Sequence, residues 1–247
     1  MDQELLIYIA IGFAAQLIDG TLGMAYGVAS TTALVATGMP PAIASANVHV
    51  AEIFTTATSG TAHAIVKNID WRMFRRLAIA GAVGGLIGAT LVSKVDLSGV
   101  RVVIAAYLFI MGLIVIGKAL KRAPAIKRAE RHLIPLGLFG GFFDAAGGGG
   151  WGPIVASNLI ARGNAPATVI GTVNAAEFAM TVAASIAFLA ALGPNFGKAA
   201  LGLLIGGMLA APLAAIAAKK APRRVFMGFV GALICAMSAY TFARALA

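Results

Sequence analysis

Shifting the chain by 125 residues lays it on itself without a gap. Gly12 falls on Gly137, Asp19 on Asp144, Gly23 on Gly148, Gly27 on Gly152, and Pro41 on Pro166. The register then carries Val48 onto Val173, Ala51 onto Ala176, Glu52 onto Glu177 and Gly81 onto Gly206. The whole chain holds nine acids, so two of them recurring at one spacing mark an internal duplication. Any fold open to the first half must also be open to the second.

What is duplicated is apolar. The first copy carries runs at 5–18, 22–38, 42–66, 73–93 and 100–117, and the second at 133–143, 148–161, 167–192, 199–218 and 225–243. With 60% hydrophobic and 11% charged residues and a mean hydropathy of +0.92, the chain lacks the polar surface of a soluble domain. A helix crosses the hydrocarbon layer with about 20 residues. The runs 42–66, 73–93, 167–192, 199–218 and 225–243 reach that length and 100–117 is marginal. The runs 5–18, 22–38, 133–143 and 148–161 are expected to fall short. The expected class is an all-α polytopic membrane protein. The start, Met1-Asp2-Gln3-Glu4, has no basic region of the kind that opens a cleaved signal peptide. The single Cys235 excludes a disulfide framework and a cysteine-based metal cluster.

A net charge of +10 would suit a nucleic-acid partner, but its placement argues otherwise. Lys and Arg gather between the apolar runs, at Lys67–Arg76, Lys118–Arg131 and Lys219–Arg224. That is how cytoplasmic loops mark orientation. If each short pair enters and leaves the membrane on one side, each half has three crossings and the halves are inverted. Fifteen of the 19 basic residues then lie inside, leaving Lys94, Arg101, Lys198 and Arg244 outside. Reading each short pair as one broken crossing makes the halves parallel and the split 12 to 7. Charge favours inversion: two inverted repeats with Gly-broken half-helix hairpins, residues 1–118 and 133–247, joined by a basic cytoplasmic linker at 119–132. Inverted repeats with broken helices are a common plan of secondary transporters.

Three features carry chemistry. The first is the pair of breaks, Asp19 to Gly27 and Asp144 to Pro153, the second containing four successive glycines, Gly147 to Gly150. Glycine costs about 1 kcal/mol per residue against alanine in a helix, so a continuous helix is not expected. Irregular backbone at membrane depth must line protein or a watery cavity. The half-helix that follows each break would aim free N–H groups at the bilayer centre, which accepts an anion without Lys or Arg. The proposed anion ligands are the amides around Gly23, Gly148, Gly149 and Gly150, with Tyr26, His49, Trp151 and Asn174 beside them. Asp19 and Asp144, just before the glycines, are expected to shape the breaks by accepting backbone N–H bonds.

The second feature is a polar stripe. Ser45, His49, Glu52, Thr56, Ser59 and His63 are spaced 4, 3, 4, 3 and 4, one face of a helix. Asn174, Glu177 and Thr181 continue the pattern in the second copy. His49, Glu52 and His63 also allow a metal-site or metalloenzyme reading. Asn174 in place of His49, and the lack of a nucleophile with its base, weigh against it, so no metal, cofactor or enzymatic activity is expected. The third feature is an imbalance: Asp19, Glu52, Asp144 and Glu177 are expected to lie within the membrane, and no Lys or Arg is. Such acids must be protonated, hydrogen-bonded or paired. Glu52 and Glu177, identically placed on the polar helix of each half, are the expected proton-coupling pair.

The stretches Asp19-Gly20-Thr21-Leu22-Gly23-Met24-Ala25-Tyr26-Gly27, His49 to Phe54 and Ser59 to His63, with Gly147 to Pro153, resemble the TauE/SafE sulfite exporter family of membrane permeases. The resemblance covers essentially the whole chain, although Met24-Ala25-Tyr26 replaces a glycine run in the first copy. It implies movement of sulfite, sulfonates such as sulfoacetate, or related anions. The expected activity is export of a small anion across a bacterial inner membrane, driven by the proton gradient. The alternative is a cation transporter or channel using the same four acids.

Overall fold

The computed structural model describes residues 2–246 except 23, 24, 66, 96, 121–131, 163, 165, 195, 196 and 219–222. The linker therefore lies almost wholly outside the described residues, as does Gly23. Among the described residues there are only helices. They are α1 (Gln3–Leu22), α2 (Tyr26–Ala36), α3 (Pro41–Ile65), α4 (Trp71–Lys94), α5 (Leu97–Leu120) and α6 (Leu133–Gly147). A π-helical turn (Gly152–Ala156) then leads into α7 (Ser157–Ala161), followed by α8 (Pro166–Leu192), α9 (Lys198–Ala218) and α10 (Arg223–Leu246).

Local chemistry accounts for several boundaries. Pro41 and Pro166 each open a helix, where the missing N–H costs nothing. Asp70 caps α4, its Oδ1 accepting from Arg72 N at 2.9 Å and Met73 N at 3.0 Å. α6 stops where Gly148 turns left-handed at φ 71° and the Gly149 amide donates to Asp144 O at 2.8 Å. The 5–18 run proves to belong to a 20-residue helix. One isolated glycine, Gly20, does not halt α1, which has the length of a full crossing. The 100–117 run likewise belongs to the 24-residue α5.

The helices pack across the repeat. α1 lies on α9 and α4 on α6; α4 lies on α8 and α3 on α9; α3 meets α8, and α5 meets α10. The 125-residue shift turns α1 into α6, α3 into α8, α4 into α9 and α5 into α10, so these contacts exchange among themselves. The two copies are thus interlocked, each completing the other's core. Small residues permit the close approach: a Cβ at Gly206 of α9 would land on Ile9 O of α1, and one at Gly84 of α4 on Leu138 O of α6. Ile79, Val83, Leu86 and Leu91 of α4 face outward, and α4 and residues 168–192 are long and apolar enough to cross a membrane.

Candidate functional site

The two breaks meet. A Cβ on Gly149 would fall on the Val28 amide, and Gly27 stands against the Gly149 Cα, where an added Cβ would have 3.0 Å. Thr31 Oγ1 donates to Gly148 O, and Tyr107 Oη donates to Gly149 O at 2.6 Å. Gly149 holds φ 148°, where a side chain is strained. The carbonyls freed by the glycine run are therefore met by two hydroxyls from α2 and α5.

Each break carries the same carboxylate contact. Asp19 Oδ1 accepts from Tyr26 N at 3.3 Å and Asp144 Oδ1 accepts from Trp151 N at 2.6 Å. The aromatic that follows is itself anchored, Tyr26 on the opposite copy and Trp151 on its own. Tyr26 Oη donates to Leu203 O at 3.3 Å. The Trp151 indole donates to Val173 O at 3.1 Å, and its ring fills the space beside Gly81, where a Cβ would lie 2.5 Å away.

The stripe on α3 runs into this junction. Ser45, His49, Glu52 and Thr56 are buried, and Ser59 and His63 are half-buried. Ser45 Oγ donates to Ala145 O at 2.6 Å, and His49 Nε2 lies 3.1 Å from Asp144 Oδ2. Glu52 is 3% exposed, and its Oε2 has no hydrogen-bond partner among the described residues. Asn174 Nδ2 donates to Ser59 Oγ at 2.8 Å, joining α8 to α3.

Between these groups lies a cavity of about 30 Å³, room for on the order of two waters. Tyr26, Gly27, Glu52, Thr55, Thr56, Asp144, Gly150, Pro153, Asn174, Glu177 and Asp19 are among its lining residues. A second cavity of about 160 Å³ continues from it, sharing Asp19, Thr55, Thr56, Asn174 and Glu177 and reaching Gln16, Ser59 and His63. The chamber widens toward the His63 end of α3, beside the loop of Lys67 and Asn68. At the Ser45 end it is closed by the contacts between α3 and the second break. No Lys or Arg lines either cavity among the described residues.

Of the proposed ligands, Tyr26, Gly150 and Asn174 line the inner cavity with the four acids. His49, Gly148, Gly149 and Trp151 stand behind its wall. Thr31, Thr55 and Tyr107 were not singled out from the sequence. Tyr107 offered one signal, a lone hydroxyl in the apolar run 100–117. The side-chain ligand atoms of His49, Glu52 and Asp144 lie within 4.8 Å of one another, but His49 Nε2 is already engaged by Asp144. His63 is apart from this group, with its Nδ1 3.4 Å from Asn68 Nδ2.

Comparison with known proteins places this geometry in a family. The sequence profile described as sulfite exporter TauE/SafE matches residues 8–241. The chain is 39% identical over 248 aligned positions to the probable membrane transporter protein YtnM of Bacillus subtilis (strain 168), covering 97% of this chain and 83% of that protein. No solved structure matches. A match over nearly the full length, on an all-helical frame around a polar chamber, makes this a multi-pass membrane transporter rather than an enzyme. The chain belongs to the TauE/SafE sulfite exporter family.

Proposed function

We propose that the chain is a secondary transporter that exports a small anion, sulfite or an organosulfonate such as sulfoacetate, and is driven by the proton gradient. One observation carries the reading: the helix ends on either side of the two breaks meet at a chamber lined by hydroxyls, an amide and four carboxyls, with no fixed cation among the described residues. Asp19 and Asp144 each accept the amide that opens the following helical turn, the position where a bound anion would be favoured. Substrate and protein carboxylate therefore compete for one electropositive spot. An anion can stay among four acids only when protons neutralise some of them, which ties anion binding to proton binding. Glu52 and Glu177 are the coupling pair in this reading, with Asp19 and Asp144 holding the breaks. The substrate ligands in this reading are Tyr26, Asn174 and the Gly150 amide at the inner cavity, backed by His49, Trp151 and the amides around Gly23, Gly148 and Gly149.

The copies, residues 1–118 and 133–247, are inverted in the bilayer, with the basic linker inside. The split of the basic residues, 15 of 19 on the side of the linker, supports this arrangement. With Lys67, Arg72, Arg75 and Arg76 cytoplasmic, the chamber widens toward the cytoplasm, where an exporter loads. The cation alternative draws on the same four acids. Proteoliposomes under an imposed pH gradient separate the two: labelled sulfite or sulfoacetate moves and labelled sodium does not. Sodium movement without anion movement would overturn the proposal.

A further inference from the structure

His49 sits where its ring nitrogens are dictated by their neighbours. Nδ1 is 2.8 Å from the Ser45 backbone carbonyl, which can only accept. Its other neighbour, Ser45 Oγ at 3.4 Å, spends its own hydrogen on Ala145 O. Both partners are acceptors, so Nδ1 carries a hydrogen. Nε2 then faces Asp144 Oδ2 at 3.1 Å. A bare ring nitrogen against a carboxylate would be two acceptors without a donor, so one further proton lies between them. It belongs either to a carboxylic acid donating to neutral imidazole or to an imidazolium donating to carboxylate. Both forms are neutral overall, which is why the pair can be buried at 0% and 2% exposure with no Lys or Arg lining the cavity among the described residues.

We propose that His49 and Asp144 are a locked proton site: they share one proton that exchanges with water only when α3 and the second break separate. When they part, the proton leaves to chamber water. It leaves behind neutral His49, still donating from Nδ1, and an Asp144 carboxylate held by the Trp151 amide. Charge at the break thus changes only with movement, and movement is what changes access. The site is one-sided. The 125-residue shift carries His49 to Asn174 and Asp144 to Asp19. Asn174 cannot carry a proton and donates to Ser59 instead. The other titratable groups around the pair are Glu52 on α3, Tyr107 on α5 and Glu177 on α8, with Asp19 on α1 and Tyr26 on α2 lining the same cavity. None of them donates to His49 in place of Asp144.

The role in coupling rests on the transport reading above; the shared proton does not, and the test keeps them apart. In purified protein labelled with ¹⁵N-histidine, the chain's three histidines are few enough for His49 to be assigned by the signals lost in His49→Gln. The expected spectrum has a protonated Nδ1 and a hydrogen-bonded Nε2, the same at about pH 6 and about pH 8, the range in which histidine ordinarily changes charge. A bare Nδ1, or a signal that moves from imidazolium to imidazole over that range, overturns the proposal. In proteoliposomes enclosing a pH-sensitive dye, sulfoacetate-driven proton movement is lost in Asp144→Asn and in His49→Gln. Proton movement equal to wild type in both variants overturns the coupling role. A wild type that moves no sulfoacetate would count against the anion reading, and the imidazole spectrum would still decide the proton site.

Discussion

Glu52 is the residue at which burial and function pull hardest against each other. Its Oε2 has no hydrogen-bond partner among the described residues, while Oε1 lies against Gly27, where an added Cβ would be 3.0 Å away. Glu52→Gln keeps the shape and removes the titration. It retains substrate binding and abolishes pH-driven transport, measured as labelled sulfoacetate uptake across a range of imposed pH gradients; Glu177→Gln does the same. If both variants keep the wild-type pH dependence, the coupling pair is wrong. Gly149 is the second exposed point. Its φ of 148° and its contact with Val28 leave no place for a side chain. A strained conformation of this kind costs about 1–3 kcal/mol. Gly149→Val lowers the melting temperature and eliminates anion binding, whereas binding equal to wild type would exclude the breaks as the site. The α3 stripe was legible at this scale because helical periodicity alone puts positions 45, 49, 52, 56, 59 and 63 on one face. The contact of His49 with Asp144 spans 95 residues, and no periodicity reaches that far.

Among the elements, the α1–α9 and α4–α6 pairs hold the copies together. Both depend on backbone meeting backbone, as Gly206 meets Ile9 and Gly84 meets Leu138. Gly206→Val forces these helices apart, and overpacking of this sort costs about 1–3 kcal/mol or more. The variant unfolds at lower temperature in detergent than Gly228→Val, whose site has open space around it. Equal melting temperatures would show that close approach is unimportant here. Helix lengths were legible less well than helix existence. An apolar run ends at the first polar residue, but a helix continues until its hydrogen bonds fail, so α1 passes through Asp19 and α6 through Asp144. Isolated glycines, Gly12 and Gly20, are tolerated in α1, while the run from Gly147 ends α6.

For the whole molecule, the interlocked packing and the distribution of basic residues meet in one prediction. Both termini are outside and the linker is inside. Single cysteines at Ala125 and near the N-terminus, in a background with Cys235 replaced, react with impermeant reagents from opposite faces of the membrane. Reaction of both from one face would exclude inverted copies and favour the parallel reading of the charge split.

Composition, the 125-residue repeat and the spacing of polar residues by themselves determined the helical membrane class, the duplication and the stripe on α3. Each is a local or additive property, readable from hydrophobicity and helical period. Only the tertiary structure decided which groups share the chamber. Tyr107 reaches Gly149 from a helix with no polar pattern, and Trp151 turns its ring into the core beside Gly81 instead of toward the cavity. Whether a side chain faces a cavity or stands behind its wall depends on how closely helices from both copies approach, which is a joint property of many small residues. The same closeness brings His49 to Asp144, a pairing that only the folded chain could make.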